Sequence, residues 1–441
     1  MQSLLLMPEE RPRGSLLWLS TLQWFVFALT NVITVPVVLG HAFGLSAAQN
    51  GLFIEQTFFI CGVINLLQLL IGHRYPIIEG PAGMWWGVVV VLIGVTKESH
   101  GSLPGLLASL ELGLLCAGIV FLLIASLRLT SRVLKLFTPI VTGTFLVLLA
   151  LQLSKSLVSG MLGVDEGNHT QVVPLIACLT IALTSLSIGL MLRGKGILKN
   201  MAVLITLALG WLIFAVLGMV RKPLIGHTSF VAIPKLFPWG IPKFHVGIVL
   251  TCMLTAIILM SNLVASIQAF AGVIGEQADT RRFSAGTFIS GIGTVLSGLF
   301  GTIGNVPLTS AASFVSLTRI ASKLPFLLAS VLLMILGLIP SVGQFAGTLP
   351  APVGYAVLFT VFGQLLGFGL RDFHSLELNQ RDVFVLGIPL LTGVGTFFLP
   401  NQAWSSLPPF MSYILDNGLI VGIVIVLLLE HVIFRKKRGI A

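Results

Sequence analysis

Apolar residues run along this chain in long blocks separated by short polar segments. The blocks lie near residues 15–39, 47–71, 76–96, 104–127, 136–154, 172–192, 199–219, 245–270, 284–300, 305–319, 325–347, 350–370, 383–399 and 409–433. An α-helix needs roughly 20 apolar residues to cross a hydrocarbon core about 30 Å thick. The pattern therefore predicts an all-α polytopic membrane protein of fourteen spans. Two blocks are interrupted. The third opens with Tyr75-Pro76-Ile77-Ile78-Glu79-Gly80-Pro81-Ala82-Gly83, and the tenth contains Gly301-Thr302-Ile303-Gly304-Asn305-Val306-Pro307. Both are too rich in glycine and proline for unbroken helix.

The interruptions fall at matching places in two halves of seven spans. The fifth span of each half also opens alike, with Pro139-Ile140-Val141-Thr142-Gly143 and Pro350-Ala351-Pro352-Val353-Gly354. Seven is odd, so the second copy enters the membrane from the opposite side, as an inverted repeat. Corresponding breaks in such halves point to a binding site near the bilayer midplane. A helix that starts there exposes unpaired N–H groups and a partial positive charge, which a polar substrate can satisfy. The plainer role for glycine is close helix packing, and Gly363 and Gly367, in GxxxG spacing, are predicted to serve it.

Composition agrees with lipid as the main solvent: 56% of residues are hydrophobic and 9% charged, against about 25% charged in soluble chains. The net charge of +10 is spread in short basic clusters between apolar blocks. It reads as topology and not as a nucleic-acid footprint. With the N-terminus inside, cytoplasmic segments hold nineteen of the 25 lysines and arginines. Merging or missing one span would invert every later loop, so this bias supports fourteen spans in an inner membrane with both termini cytoplasmic. The opening MQSLLLMPEERPRG lacks the apolar core of a signal peptide and is predicted to be a cytoplasmic tail. The sequon Asn168-His169-Thr170 is discounted as a short chance pattern. Cys61, Cys116, Cys178 and Cys252 lie in apolar stretches without metal-type spacing, and the eight histidines form no cluster. No nucleophile–base arrangement or phosphate-binding loop is present either, so neither catalysis, a metal nor a cofactor is predicted.

At Phe137-Thr138-Pro139-Ile140-Val141-Thr142-Gly143-Thr144 the chain resembles the nucleobase–ascorbate transporter family, also called nucleobase:cation symporter family 2. The likeness continues through Gly301–Ile320 with Asn305 and Thr318-Arg319, through 350–354, and at Asn417-Gly418. The stretch Glu79-Gly80-Pro81-Ala82-Gly83-Met84-Trp85-Trp86-Gly87 is similar to a divergent branch of purine permeases. The resemblance implies short strands and half-helices in spans 3 and 10, and an elevator in which a core domain carries substrate against a gate domain. The core is then 15–134 and 244–348 and the gate 135–243 and 349–433, with tails at 1–14 and 434–441. It also implies uptake driven by a proton, or by sodium in some members, and a homodimer formed through the gates.

Carried over residue by residue, the site is unusual. The span-8 carboxylate position is Ser261, followed by Asn262; the span-10 position is Ser310, with Ser313 three residues on. The strand positions fall on Gly83, with Met84 and Trp85 beside it, and on Thr309. Asn31 lines the site from span 1, while Gly80, Pro81 and Asn305 support the strands. No Asp or Glu occurs between Glu166 and Glu276, so the family's usual acids are missing. An ionisable residue inside a membrane marks function by default, and Glu79 adjoins the span-3 break. It is a candidate for proton coupling or base recognition, or else a structural tie to Asn31 or Gln56. Glu55 and Glu111, nearer the outer interface, are predicted to pack or snorkel. The neutral serines and asparagines suit the donor–acceptor edge of a nucleobase, or else bond helix to helix. Trp85 and Trp86 offer a stacking face or plain packing. The leading prediction is a proton-coupled purine permease. An anion carrier of the same fold, gripping charge with half-helix dipoles, and a non-transporting receptor or scaffold are the rivals.

Overall fold

The computed structural model describes residues 5–81, 83–98, 101–164, 171–194, 198, 201–220, 230–374, 376, 379–400, 403, 407, 415 and 417–434. The sequon at 168–170, the basic cluster at 435–438 and most of 408–416 lie outside the described residues. A helix occupies each apolar block. They are α1 (Gly14–Ala42), α2 (Ala47–Leu70), α3 (Gly83–Glu98), α4 (Leu103–Ser126), α5 (Pro139–Met161), α6 (Pro174–Arg193) and α7 (Ala202–Val216). The second half gives α8 (Val246–Val273), α9 (Thr280–Leu299), α10 (Ser310–Thr318), α11 (Lys323–Leu336), α12 (Ala351–His374), α13 (Gln380–Phe397) and α14 (Gly418–Leu428). Among the described residues, seven of these are long and apolar enough to cross a membrane. An eighth candidate joins α11 to a short helix, Pro340–Ala346, across an 85° bend. The chain is a multi-pass helical membrane protein.

Helix starts follow local chemistry. Ser46 and Gln49 form a capping box ahead of α2, each side chain bonding the other's backbone N–H. Thr138 caps α5 from just before Pro139, and Asn417 Oδ1 accepts from Leu419 and Ile420 at the start of α14. Helices α1–α4 pack mainly with α8–α11, and α5–α7 with α12–α14. The α4–α9 seam is close because it is lined by glycine. A Cβ on Gly298 would stand 2.7 Å from the Glu111 carbonyl, and one on Gly118 would stand 2.7 Å from the Val295 nitrogen.

Two expectations change. Gly363 and Gly367 pack against nothing among the described residues: an added Cβ on either meets no described atom within 4 Å, so their GxxxG face is exposed. For Glu55 and Glu111 the packing alternative is the one observed: both are buried, and Glu111 Oε1 accepts the Trp239 backbone N–H at 3.3 Å. The segment 230–243, placed with the gate from sequence, bonds to other helices. Lys235 O accepts from Gln56 of α2, the Phe237 amide reaches Leu299 of α9, and the Lys243 amide reaches Ala108 of α4. The N-terminal tail is also ordered from Leu5, pairing in parallel with the strip after α10 through Leu6 and Ile320.

Candidate functional site

The two broken blocks meet in space. Glu79–Pro81 forms β1 and Asn305–Pro307 forms β2, paired antiparallel with Glu79 opposite Pro307, Gly80 opposite Val306 and Pro81 opposite Asn305. Each strand is followed by a half-helix, α3 or α10. Pro81 and Pro307 stand at positions whose backbone groups face away from the partner strand, and the register runs on past Pro307, where the Leu308 N–H donates to Ile78 O at 2.9 Å. Two expected positions move: Gly83 opens α3 and Thr309 is the N-cap of α10, so neither lies in a strand. Glycine at 304 is required by an aromatic neighbour, since a Cβ there would sit 2.5 Å from the Trp85 ring.

Helix α8 clasps the ribbon. Asn262 Nδ2 donates to Pro307 O at 3.2 Å, and the Ser266 hydroxyl donates to the same oxygen at 2.9 Å. Ser266 Oγ also lies 2.8 Å from Thr309 Oγ1. From α1, Asn31 Nδ2 donates to Phe27 O, and its Oδ1 lies 3.5 Å from the Ser310 hydroxyl. Thr309, Ser310 and Ser313 are exposed, and Asn31, Ser261, Asn262 and Met84 are partly so. Asn31, Asn262, Thr309 and Ser310 thus form a neutral, hydrogen-bonding cluster where α1, α8 and α10 meet the strand ends. Ser261 turns its hydroxyl onto Ile258 O of its own helix. Such a surface holds donors and acceptors without a fixed charge.

The tryptophans lie elsewhere. Trp85 is buried against Phe43, Phe53, Trp239 and Cys252 around a small cavity on the Glu111 side. Trp86 packs at 5.4 Å, centroid to centroid, on Phe362 of α12. Asn305 is buried, and its Oδ1 faces the Cys61 thiol of α2 at 3.5 Å, so it ties β2 to that helix.

Glu79 is fully buried on the α2 side of the ribbon, and its neighbours are neither Asn31 nor Gln56. Its backbone N–H donates to Asn65 Oδ1 at 2.6 Å, and its Oε1 faces His73 Nε2 at 3.5 Å. Burial first, and the charge of Arg282 second, push the His73 imidazole down to about 3, so the ring is neutral near pH 7. His73, Asn65 and Ser266 are absent from the sequence-derived site. Ser266 was within reach of inference, since it stands four residues from Asn262 on the same helix face.

A model described as the Permease family matches residues 16–402 of this chain. YwdJ of Bacillus subtilis (strain 168), provisionally named a purine permease, is 35% identical over 416 residues, covering 92% of this chain and 93% of YwdJ. The uric acid permease PucK of the same organism is 23% identical over 431 residues, covering 98% of both chains. Among solved structures, the transmembrane domain of the cyanobacterial bicarbonate transporter BicA aligns with a TM-score of 0.59 at 15% identity. The match covers 94% of this chain and 98% of that domain. That likeness is one of fold.

Proposed function

This chain belongs to the nucleobase–ascorbate transporter family of membrane permeases, and we propose that it imports a purine across the cytoplasmic membrane by proton symport. It is a transporter and not an enzyme. One observation carries the substrate reading: the polar cluster at the strand ends is built from neutral donors and acceptors, Asn31, Asn262, Thr309 and Ser310, on three separate segments of the chain. A purine edge is itself a row of neutral donors and acceptors. Asn305, Gly80 and Pro81 hold the ribbon in shape, while Ser261, Ser313, Met84 and Trp85 form its nearer surroundings.

The carrier works as an elevator of fourteen spans, with both termini cytoplasmic. The α1–α4 and α8–α11 helices move substrate against α5–α7 and α12–α14. Glu79 exchanges the coupling proton. A homodimer through the gate is supported by α12, whose Gly363 and Gly367 leave room for a second backbone. A second reading, an anion carrier, draws on the lack of any acid in the cluster, which would let the half-helix dipoles hold negative charge.

Equilibrium binding to purified protein separates the two. A purine binds and sulfate does not compete, and Asn262→Ala or Ser310→Ala weakens the purine about fivefold, the effect of about 1 kcal/mol. Sulfate binding without purine competition would overturn the purine reading.

A further inference from the structure

Buried polar atoms without partners concentrate beside β1. They include both carboxylate oxygens of Glu79, His73 Nε2, and the Nδ2 groups of Asn65 and Asn305. Such groups are costly in a dry interior, and one donor and one acceptor among them, His73 Nε2 and Glu79 Oε1, stand 3.5 Å apart. His73 is held by three contacts, two on its backbone and one on its ring. Gln68 Oε1 accepts the His73 backbone N–H at 3.3 Å, Arg282 Nη1 donates to His73 O at 3.0 Å, and the Tyr75 backbone N–H donates to His73 Nδ1 at 3.1 Å. Arg74, next in the chain, takes a left-handed conformation (φ 62°) that is costly for a non-glycine residue.

The third contact fixes the tautomer. A ring nitrogen that accepts a bond carries no proton, so the proton of a neutral imidazole stands on Nε2, the atom facing Glu79. Charging the ring would require Nδ1 to donate and would break the Tyr75 bond. Arg282 opposes it as well, lying 4.2 Å over the Tyr75 ring.

We propose that His73 is a positioning residue for the coupling proton: a permanently neutral Nε2–H donor that holds the Glu79 carboxylate ready to take and release one proton. This rests on the symport reading above. In the step itself one proton passes from water to a Glu79 oxygen on the loading side, then back to water after transport. The other ionisable groups around the pair are Cys61 of α2, Tyr75 of the turn, and Glu276, Asp279 and Arg282 at the α8–α9 junction. Glu276 and Arg282 are partly exposed, so the cluster reaches solvent through them. The proton and the substrate therefore occupy opposite sides of one ribbon. The Glu79–Pro307 pairing joins them, since Pro307 O is the atom that Asn262 and Ser266 clasp.

pH-difference infrared spectroscopy of the purified full chain tests this without any substrate. A protonated-carboxyl C=O band that titrates should vanish in Glu79→Gln. In His73→Leu the midpoint of that band should move to higher pH by one unit or more, because the carboxylate has lost its donor. In His73→Gln, which restores an N–H at similar reach, it should stay within about half a unit of the unmodified protein. An unmoved midpoint in His73→Leu, or an equal shift in His73→Gln, overturns the proposal. So does a spectrum whose titrating band survives Glu79→Gln. Should His73→Leu fail to fold, the His73→Gln midpoint decides alone. Failure of the purine reading would show separately, as no purine uptake by the unmodified protein.

Discussion

Removing the α8 clasp on the ribbon should cost substrate affinity by a calculable amount. Ser266 is buried, and its hydroxyl makes two contacts, with Pro307 O at 2.9 Å and Thr309 Oγ1 at 2.8 Å. A neutral buried hydrogen bond contributes about 1 kcal/mol net. Thr309 is exposed and turns to water when Ser266 is lost, so Ser266→Ala should cost about 1–1.5 kcal/mol. Asn262→Ala should cost about 1 kcal/mol, because Ser266 still serves Pro307 O. The double variant leaves that buried carbonyl without either side-chain donor, which costs about 1–3 kcal/mol in desolvation. Its effect should therefore exceed the sum of the singles by about 1 kcal/mol. A loosened ribbon populates its binding-competent form less, and the apparent Kd rises in proportion. Purine titration of purified protein should show Kd raised about tenfold for Ser266→Ala, and several hundredfold for the double variant. Strictly additive singles, or a double-variant Kd within twofold of the unmodified protein, would refute the clasp.

Glu79→Gln should abolish gradient-driven accumulation in proteoliposomes while sparing counterflow exchange. Under a gradient of about one pH unit and one proton per substrate, the unmodified carrier accumulates up to about tenfold; unchanged accumulation in the variant eliminates the coupling role. Gly298→Ala should destabilise by about 1–3 kcal/mol, since the added methyl meets the Glu111 carbonyl and the backbone must move; thermal unfolding in detergent reads this, and an unshifted Tm contradicts the seam. Gly363→Leu with Gly367→Leu should leave Tm unchanged, because neither glycine packs against anything among the described residues. The same pair should convert a dimer to a monomer by light scattering, and an undisturbed dimer places the interface elsewhere.

The blocks and both breaks were legible in sequence because hydrocarbon imposes a length on every helix and glycine with proline forbids it locally. Asn262, Thr309 and Ser310 were legible only through the family resemblance, which aligns them with its span-8 and span-10 positions. The strand limits were not: the ribbon is only three residues long on each side, which leaves Gly83 and Thr309 at the starts of the half-helices. Trp85 was open to stacking or packing in sequence, and the close approach of the Gly304 backbone to its ring, which reaches the Phe43–Trp239 pocket, is what the spacing does not show. His73 left no signal at all. Its approach to Glu79 depends on the left-handed turn at Arg74 and on Arg282, about two hundred residues away in the chain, and neither is visible in spacing. The GxxxG pair shows the converse: the motif was plain, but its partner is not within the described residues.

The most direct test of a purine carrier is uptake of radiolabelled guanine, hypoxanthine, xanthine, urate, uracil and sulfate by reconstituted full-length protein, with and without an acidic exterior. Saturable purine uptake, stimulated by the gradient and competed by other purines but not by sulfate, is the predicted result. Saturable sulfate uptake with no competition from any nucleobase would contradict it.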